Sequence, residues 1–205
     1  MIQRPTALLI DFDGVLRTLD PSVNAKIELR YGLEPGTILD TALEWSRLLP
    51  AITGHITREQ WLAMVASALQ ERVGGPERAE ALMREWVVYP GHIAADVLQF
   101  VRDVRAAGRP VCLATNATLE FDEVLASFGL TGEFDAVANS ARLGLHKPTK
   151  EYFAAACALI ETPPPLCLLI DDTDRMVRGA RVAGLPSYRY TPGDDLSYPR
   201  KALDI

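Results

Sequence analysis

The chain has 205 residues, 48% of them hydrophobic and 23% charged, with 21 basic against 27 acidic side chains and a net charge of −6. That length carries one full core, or one core domain with a smaller insert, and the acidic balance argues against a nucleic-acid or anionic-membrane partner. Cys112, Cys157 and Cys167 cannot form a closed disulfide set and none lies in a CxxC; the opening MIQRPTALLIDFDG reads as no signal peptide, and no apolar stretch reaches membrane-spanning length. The expectation is a reduced, cytoplasmic protein.

In chain order, the first element is Ala7 to Ile10, a short run that is apolar on both faces and followed at once by acid. Such a run reads as a fully buried strand of a parallel sheet. No strand follows for some 70 residues. Helical candidates lie there instead, near Pro21 to Tyr31, Gly36 to Leu48, Arg58 to Arg72 and Pro76 to Trp86, with Thr57 and Gln60 placed for a capping box. Tyr89-Pro90-Gly91 is a turn signal. Strands then resume at Val111 to Ala114 and Leu166 to Ile170. Between them, helices are expected over Ile93 to Ala107, Glu120 to Phe128, Thr149 to Leu159 and Met176 to Ala183, three of them stopped by Gly108, Gly129 or Gly184. The alternation predicts an α/β fold, a Rossmann-like parallel sheet with right-handed crossovers and an inserted all-helical cap. The α/β core is residues 1–16 and 89–205, the cap residues 17–88, with hinges near Leu16–Asp20 and Val88–Gly91.

Four constellations carry chemistry. Asp11-Phe12-Asp13-Gly14 leaves the first strand, and two carboxylates two residues apart at a strand's carboxyl end can face one crevice. Thr115-Asn116 follows the second apolar run and can donate to phosphate oxygens. Lys147, held out of a helix by Pro148, can set an ammonium against an anion. Asp171, Asp172 and Asp174 follow the last run and offer oxygen ligands suited to magnesium. Each has a plainer reading: the first Asp pair as a turn cap, Thr115-Asn116 as a helix N-cap, Lys147 as a solvated surface lysine, one of the later aspartates as a cap.

Their order decides between these. Strand-DxDG, strand-TN, KP and strand-DD resembles the haloacid dehalogenase-like hydrolase superfamily, carried by LLIDFDGVL, YPGHIAADVLQFVRDVRAAGRPVCLATNAT, FGLTGEFDAVANSARLGLHKPTKEYF and CLLIDDTDRMVRGARVAGLP. The helical insert after the first motif resembles the cap of its phosphoglycolate phosphatase-like branch. The resemblance implies a phosphatase acting on a small phosphorylated metabolite. Asp11 would be the nucleophile and form an aspartyl-phosphate, and Asp13 would serve as acid and then base. Thr115 and the backbone at Asn116 would hold phosphate oxygens, and Lys147 would neutralise charge. Mg²⁺ would be bound by Asp11, Asp172 and the carbonyl of Asp13.

The physics fits that assignment. An anionic carboxylate attacking an anionic phosphoryl group needs cations between them. One departure stands out. Met176 occupies a place where the superfamily usually carries Asp or Asn, and Asp171 or Asp174 is expected to compensate. Phosphomutase or dehalogenase chemistry on the same core, or a non-catalytic binding module, are the competing readings; Asp13 speaks against the dehalogenase. Trp45, Arg47, His55 and Trp61 are the insert's candidates for the cleft.

Overall fold

The computed structural model describes residues 4–205. Its strands are β1 (Ala7–Ile10), β2 (Arg17–Thr18), β3 (His92–Ile93), β4 (Val111–Thr115), β5 (Ala136–Asn139), β6 (Cys167–Asp171) and β7 (Ser187–Arg189). Its helices are α1 (Pro21–Arg30), α2 (Thr37–Ala42), α3 (Trp45–Ile52), α4 (Arg58–Val73), α5 (Pro76–Trp86), α6 (Ala95–Ala106), α7 (Phe121–Ser127), α8 (Ser140–Leu143), α9 (Lys150–Leu159), α10 (Asp174–Val182) and α11 (Ser197–Leu203). Five strands form one parallel sheet in the order β5-β4-β1-β6-β7.

The three apolar runs become the three central strands, with Leu9 level with Cys112 on one side and with Leu169 on the other. Side chains alternate between the two faces. Leu8, Ile10, Val111, Leu113, Leu168 and Ile170 join the core under α6, α7 and α11. Ala7, Leu9, Cys112, Ala114, Cys167 and Leu169 join the core under α9 and α10. Both faces are therefore dry, and each fully buried Leu or Ile contributes about 1.5–3 kcal/mol. All three cysteines are free and buried.

The strands β5 and β7 carry little apolar signal: three small residues, Ala136 to Ala138, in β5 and Tyr188 alone in β7. Each is an edge strand with partly exposed side chains, so one hydrogen-bonded neighbour and a half-wet face leave little hydrophobic signal. β5 is seated by Asp135, which accepts from Val111 N at 2.8 Å and pairs with Arg105 of α6.

Between β1 and α6 the chain builds five helices around a separate apolar cluster that includes Ile27, Ile38, Val65, Leu69 and Leu82. The capping box forms as expected, with Thr57 accepting from Gln60 N and Gln60 answering to Thr57 N. The expected helix over Gly36 to Leu48 is two helices. The chain stops at Leu43, and Glu44 caps the next helix by accepting from Ser46 N. The first expected hinge pairs with the residues just past the second: β2 and β3 run antiparallel, Arg17 opposite Ile93 and Thr18 opposite His92. Among the described residues, no helix is long and apolar enough to cross a membrane.

Candidate active site

Parallel strands send their carboxyl ends to one edge of the sheet, and the polar residues cluster there. β1 runs into Asp11, β4 ends on Thr115 and β6 ends on Asp171. The loop before α9 adds Lys147. Its Nζ lies 2.8 Å from Asp11 Oδ1 and 2.7 Å from Asp171 Oδ2, with the lysine 2% exposed and Asp171 fully buried. An ammonium so deeply buried is tolerable only because two carboxylates face it.

The lysine is fixed through its own backbone. Asn116 Oδ1 accepts from Lys147 N at 2.8 Å, and Asn116 Nδ2 donates to Lys147 O at 3.1 Å. The side-chain amide of Asn116 is therefore committed to the lysine, and its main chain is what remains to face a ligand. The Lys147–Pro148 bond is cis. Pro148 sits against α10 at Gly179, where a Cβ would come within 2.3 Å of the proline ring and 2.9 Å of its carbonyl oxygen. The missing side chain lets this loop reach the site.

Asp11 Oδ1 also accepts from Phe12 N at 2.7 Å, which leaves Oδ2 without a protein partner among the described residues. Asp171 Oδ1 accepts from Thr173 N at 2.9 Å, so both its oxygens are held. Asp172 Oδ1 accepts from the Thr173 hydroxyl. The carboxylate of Asp172 lies over Gly14, where a Cβ would stand 2.1 Å from Oδ2 and φ is +83°; only glycine meets both conditions. One oxygen from each of Asp11, Asp171 and Asp172 lies within 4.8 Å of the others.

Three carboxylates around one ammonium leave negative charge in excess. Burial pushes the Asp11 carboxyl up to about 8, with Asp171 adding to the rise and Lys147 opposing it. Burial, and Asp171 beside it, also raise Asp172. Burial works against the charge of Lys147, but Asp11 and Asp171 outweigh it and raise the lysine. The lysine therefore stays charged. The hard oxygen donors, their spacing and the unbalanced charge fit a divalent cation such as magnesium.

Asp13 stands apart from this cluster with its side chain half exposed, and Arg17 holds its Oδ1 at 2.6 Å. Arg17 in turn lies over the Phe12 ring. Asp13 and Asn116 are among the residues lining a cleft of about 390 Å³ between the helical segment and the sheet. Several contacts bridge the segment and the sheet half, among them Gly54, which lies so close to the Ala141 backbone that a Cβ would come within 2.4 Å of its carbonyl oxygen. Glu120 accepts from Arg58 N at the start of α4, and Trp45 of α3 packs on His146 and under Arg175.

Of the insert residues singled out from the sequence, Trp61 lines the cleft while donating to Ala42 O. Arg47 is bonded to Thr41 O and paired with Glu44, and His55 meets Thr53. Of the expected substitutes for the missing residue at Met176, one is fully committed and the other is held through a single oxygen. Asp171 is bonded at both oxygens, and Asp174 pairs with Arg178 at 2.8 Å. Sequence reasoning missed Asp171 as the lysine's anchor, Arg17 as the partner of Asp13 and Gly179 as a docking point. The first two carried a signal: a carboxylate ending an apolar strand, and an Arg four residues after an Asp.

A family model described as haloacid dehalogenase-like hydrolase matches residues 5–184. Among curated proteins, the chain is 36% identical over 124 residues to a phosphoserine phosphatase of Thermus thermophilus, covering 58% of the chain and 49% of that protein. It spans about half the length of that relative. It is 24% identical over 195 residues to a fructose-1-phosphate phosphatase of Escherichia coli, covering 90% of the chain and 96% of that protein. Among solved structures, it is similar to a HAD family enzyme of Bacteroides thetaiotaomicron in complex with magnesium and inorganic phosphate. That match has a TM-score of 0.72 at 19% identity and covers 95% and 98% of the two chains. It is also similar to the L-2-haloacid dehalogenase of Xanthobacter autotrophicus, with a TM-score of 0.67 at 20% identity over 98% and 83%. These last two likenesses are of fold.

Proposed function

The chain belongs to the haloacid dehalogenase-like hydrolases, and on that premise we propose that it is a magnesium-dependent phosphatase of small phosphate monoesters, working through an aspartyl-phosphate on Asp11. The observation that carries the reading is Asp11 itself. It is a buried carboxylate with one oxygen anchored by Lys147 and Phe12 N and the other unpartnered among the described residues. The names of the relatives, a phosphoserine and a fructose-1-phosphate phosphatase, support phosphate-ester chemistry over dehalogenation, as does the second carboxylate at Asp13.

Asp11 Oδ2 attacks phosphorus in line with the leaving alcohol. Lys147 neutralises charge between the two anions, and the Thr115 hydroxyl and Asn116 N–H hold phosphoryl oxygens. Asp13 gives its proton to the departing alkoxide. The carboxylate so formed takes a proton from water, whose oxygen then attacks phosphorus, frees Asp11 and yields inorganic phosphate. Asp11, Asp172 and the Asp13 carbonyl would hold magnesium, which supplies positive charge to the phosphoryl oxygens and keeps Asp11 ionised. Asp171 acts only through Lys147.

Residues 17–88 serve as a cap over this site, and the β2–β3 ribbon is its hinge. Its own apolar cluster, separate from the two that flank the sheet, supports that division. Closure over bound ester excludes water from the first step.

The test is phosphate release from an aryl phosphate in magnesium, followed by acid quench and peptide mapping. Release should stop in excess chelator, and a hydroxylamine-labile phosphoryl group should map to Asp11. Undiminished release in chelator would defeat the proposal.

A further inference from the structure

We propose that the ester this site prefers has an apolar leaving alcohol, aromatic or branched, rather than a sugar or other polyol. The inference rests on the phosphatase reading, since the position of Asp13 defines which part of the substrate enters the cleft. Asp13 protonates the leaving oxygen and lines the cleft, so the body of the alcohol extends into that cleft.

The cleft's walls are mainly apolar. Leu43, Leu48, Ile52 and Trp61 from the helical segment face Phe121 and Phe128 from the sheet side. Its volume of about 390 Å³ lies at the small end of the range for ligand sites, about 300–1,000 Å³, which suits one ring or a short branched chain. The surface is also unusually exposed for its chemistry. Leu19, Leu39, Leu43 and Val87 all line this one cleft at 36–54% exposure. Apolar surface gathered at one place marks a binding site more often than isolated leucines do.

Most of the polar groups in the lining already have partners. Arg17 is tied to Asp13, Asn116 to the backbone of Lys147, and Glu120 to the first N–H of α4. Arg58 forms no ion pair among the described residues, so the cleft admits a single anionic group on the alcohol. Beyond Arg58, the lining's other polar side chains are few and scattered, Asn24, Tyr89, Thr118 and Ser127, so a polyol would bring more hydroxyls than the walls can hydrogen-bond and would lose water for little in return.

The experiment compares esters of primary alcohols, so that leaving-group basicity is matched. The protein in magnesium is offered 2-phenylethyl phosphate and 3-methylbutyl phosphate against glycerol 3-phosphate and glucose 6-phosphate. The expected kcat/KM for the apolar esters is at least about tenfold above the polyol esters, the scale on which an apolar pocket discriminates. In the double variant Leu39→Gln/Leu43→Gln, at two partly exposed positions that folding tolerates, that preference ratio should fall about tenfold. Polyol esters hydrolysed as well as or better than the apolar ones would overturn the inference while leaving the phosphatase reading intact. A ratio unmoved in the folded double variant would also overturn it. Release of phosphate from none of the four would remove both.

Discussion

Two buried carboxylates, one in each half of the molecule, separate what the sheet does from what the inserted helices do. Glu28 in α1 is 1% exposed, and its two oxygens accept from Gly36 N at 2.8 Å and Ile38 N at 2.7 Å, closing the start of α2. Every acceptor direction is turned inward, as expected of a group that holds structure together. Asp11 in the sheet half is 8% exposed and has one oxygen held and one left over. Burial without full satisfaction is costly, and proteins retain it where the free group has work to do. The lesson reaches beyond these residues. Along the sheet's carboxyl edge, charge is concentrated and incompletely balanced, while the helical segment uses most of its charges for caps and surface pairs and, beyond its own core, turns several apolar side chains to the cleft.

The sharpest way to break the comparison is to neutralise each carboxylate. Asp11→Asn should abolish turnover and leave the melting temperature close to wild type, because the amide removes excess negative charge while keeping the shape. Retained activity in that variant would mean that a water molecule is the nucleophile. Asp13→Asn should follow at about 10²–10⁴-fold slower turnover, the scale of a lost general acid and base, read from steady-state kinetics in saturating magnesium.

Gly14→Ala should come next. The added methyl displaces the Asp172 carboxylate, and the magnesium midpoint of activity should rise by about 10–100-fold, as for other disturbed metal surroundings. An unshifted midpoint would show that Asp172 does not hold the cation. Glu28→Gln is the converse case. It should cost about 1–3 kcal/mol in a denaturant titration, since one amide N–H loses its acceptor, with kcat within twofold of wild type. A Glu28→Gln that folds normally but loses activity would erase the distinction between the halves.

The smallest effect is expected at Met176. Asp171 is bonded at both oxygens and Asp174 pairs with Arg178 through one, so neither is committed to the role of the missing carboxylate. Met176→Asp should tighten magnesium by up to about tenfold. An unchanged midpoint in a variant with a normal melting curve would place that role on another residue.

What the sequence disclosed follows the same division. The three central strands were legible because both their faces are dry, and Asp11, Thr115 and Asp172 drew notice because they stand at or just past the ends of such runs, whereas Lys147 was marked only by the proline after it. β5 and β7 were not legible, since edge strands need few apolar residues. The break between α2 and α3 was hidden because Glu44 reads as an ordinary helical residue until its side chain turns back on Ser46 N. Asp171 was seen as acid but not as the anchor of Lys147, because the two meet only through the fold, 24 residues apart. The cleft-facing side of the insert stayed unreadable for a related reason. Several of its apolar residues remain partly exposed, so helical periodicity cannot separate cleft from core.

The central claim is that Asp11 takes the phosphoryl group before water does. The steric course at phosphorus tests it most directly, using a phosphorothioate ester made chiral with two oxygen isotopes and hydrolysed in water of the third, so that the thiophosphate released is itself chiral. Two successive in-line displacements, first by Asp11 and then by water, predict net retention of configuration. Net inversion would mean a single direct attack by water and would contradict the account.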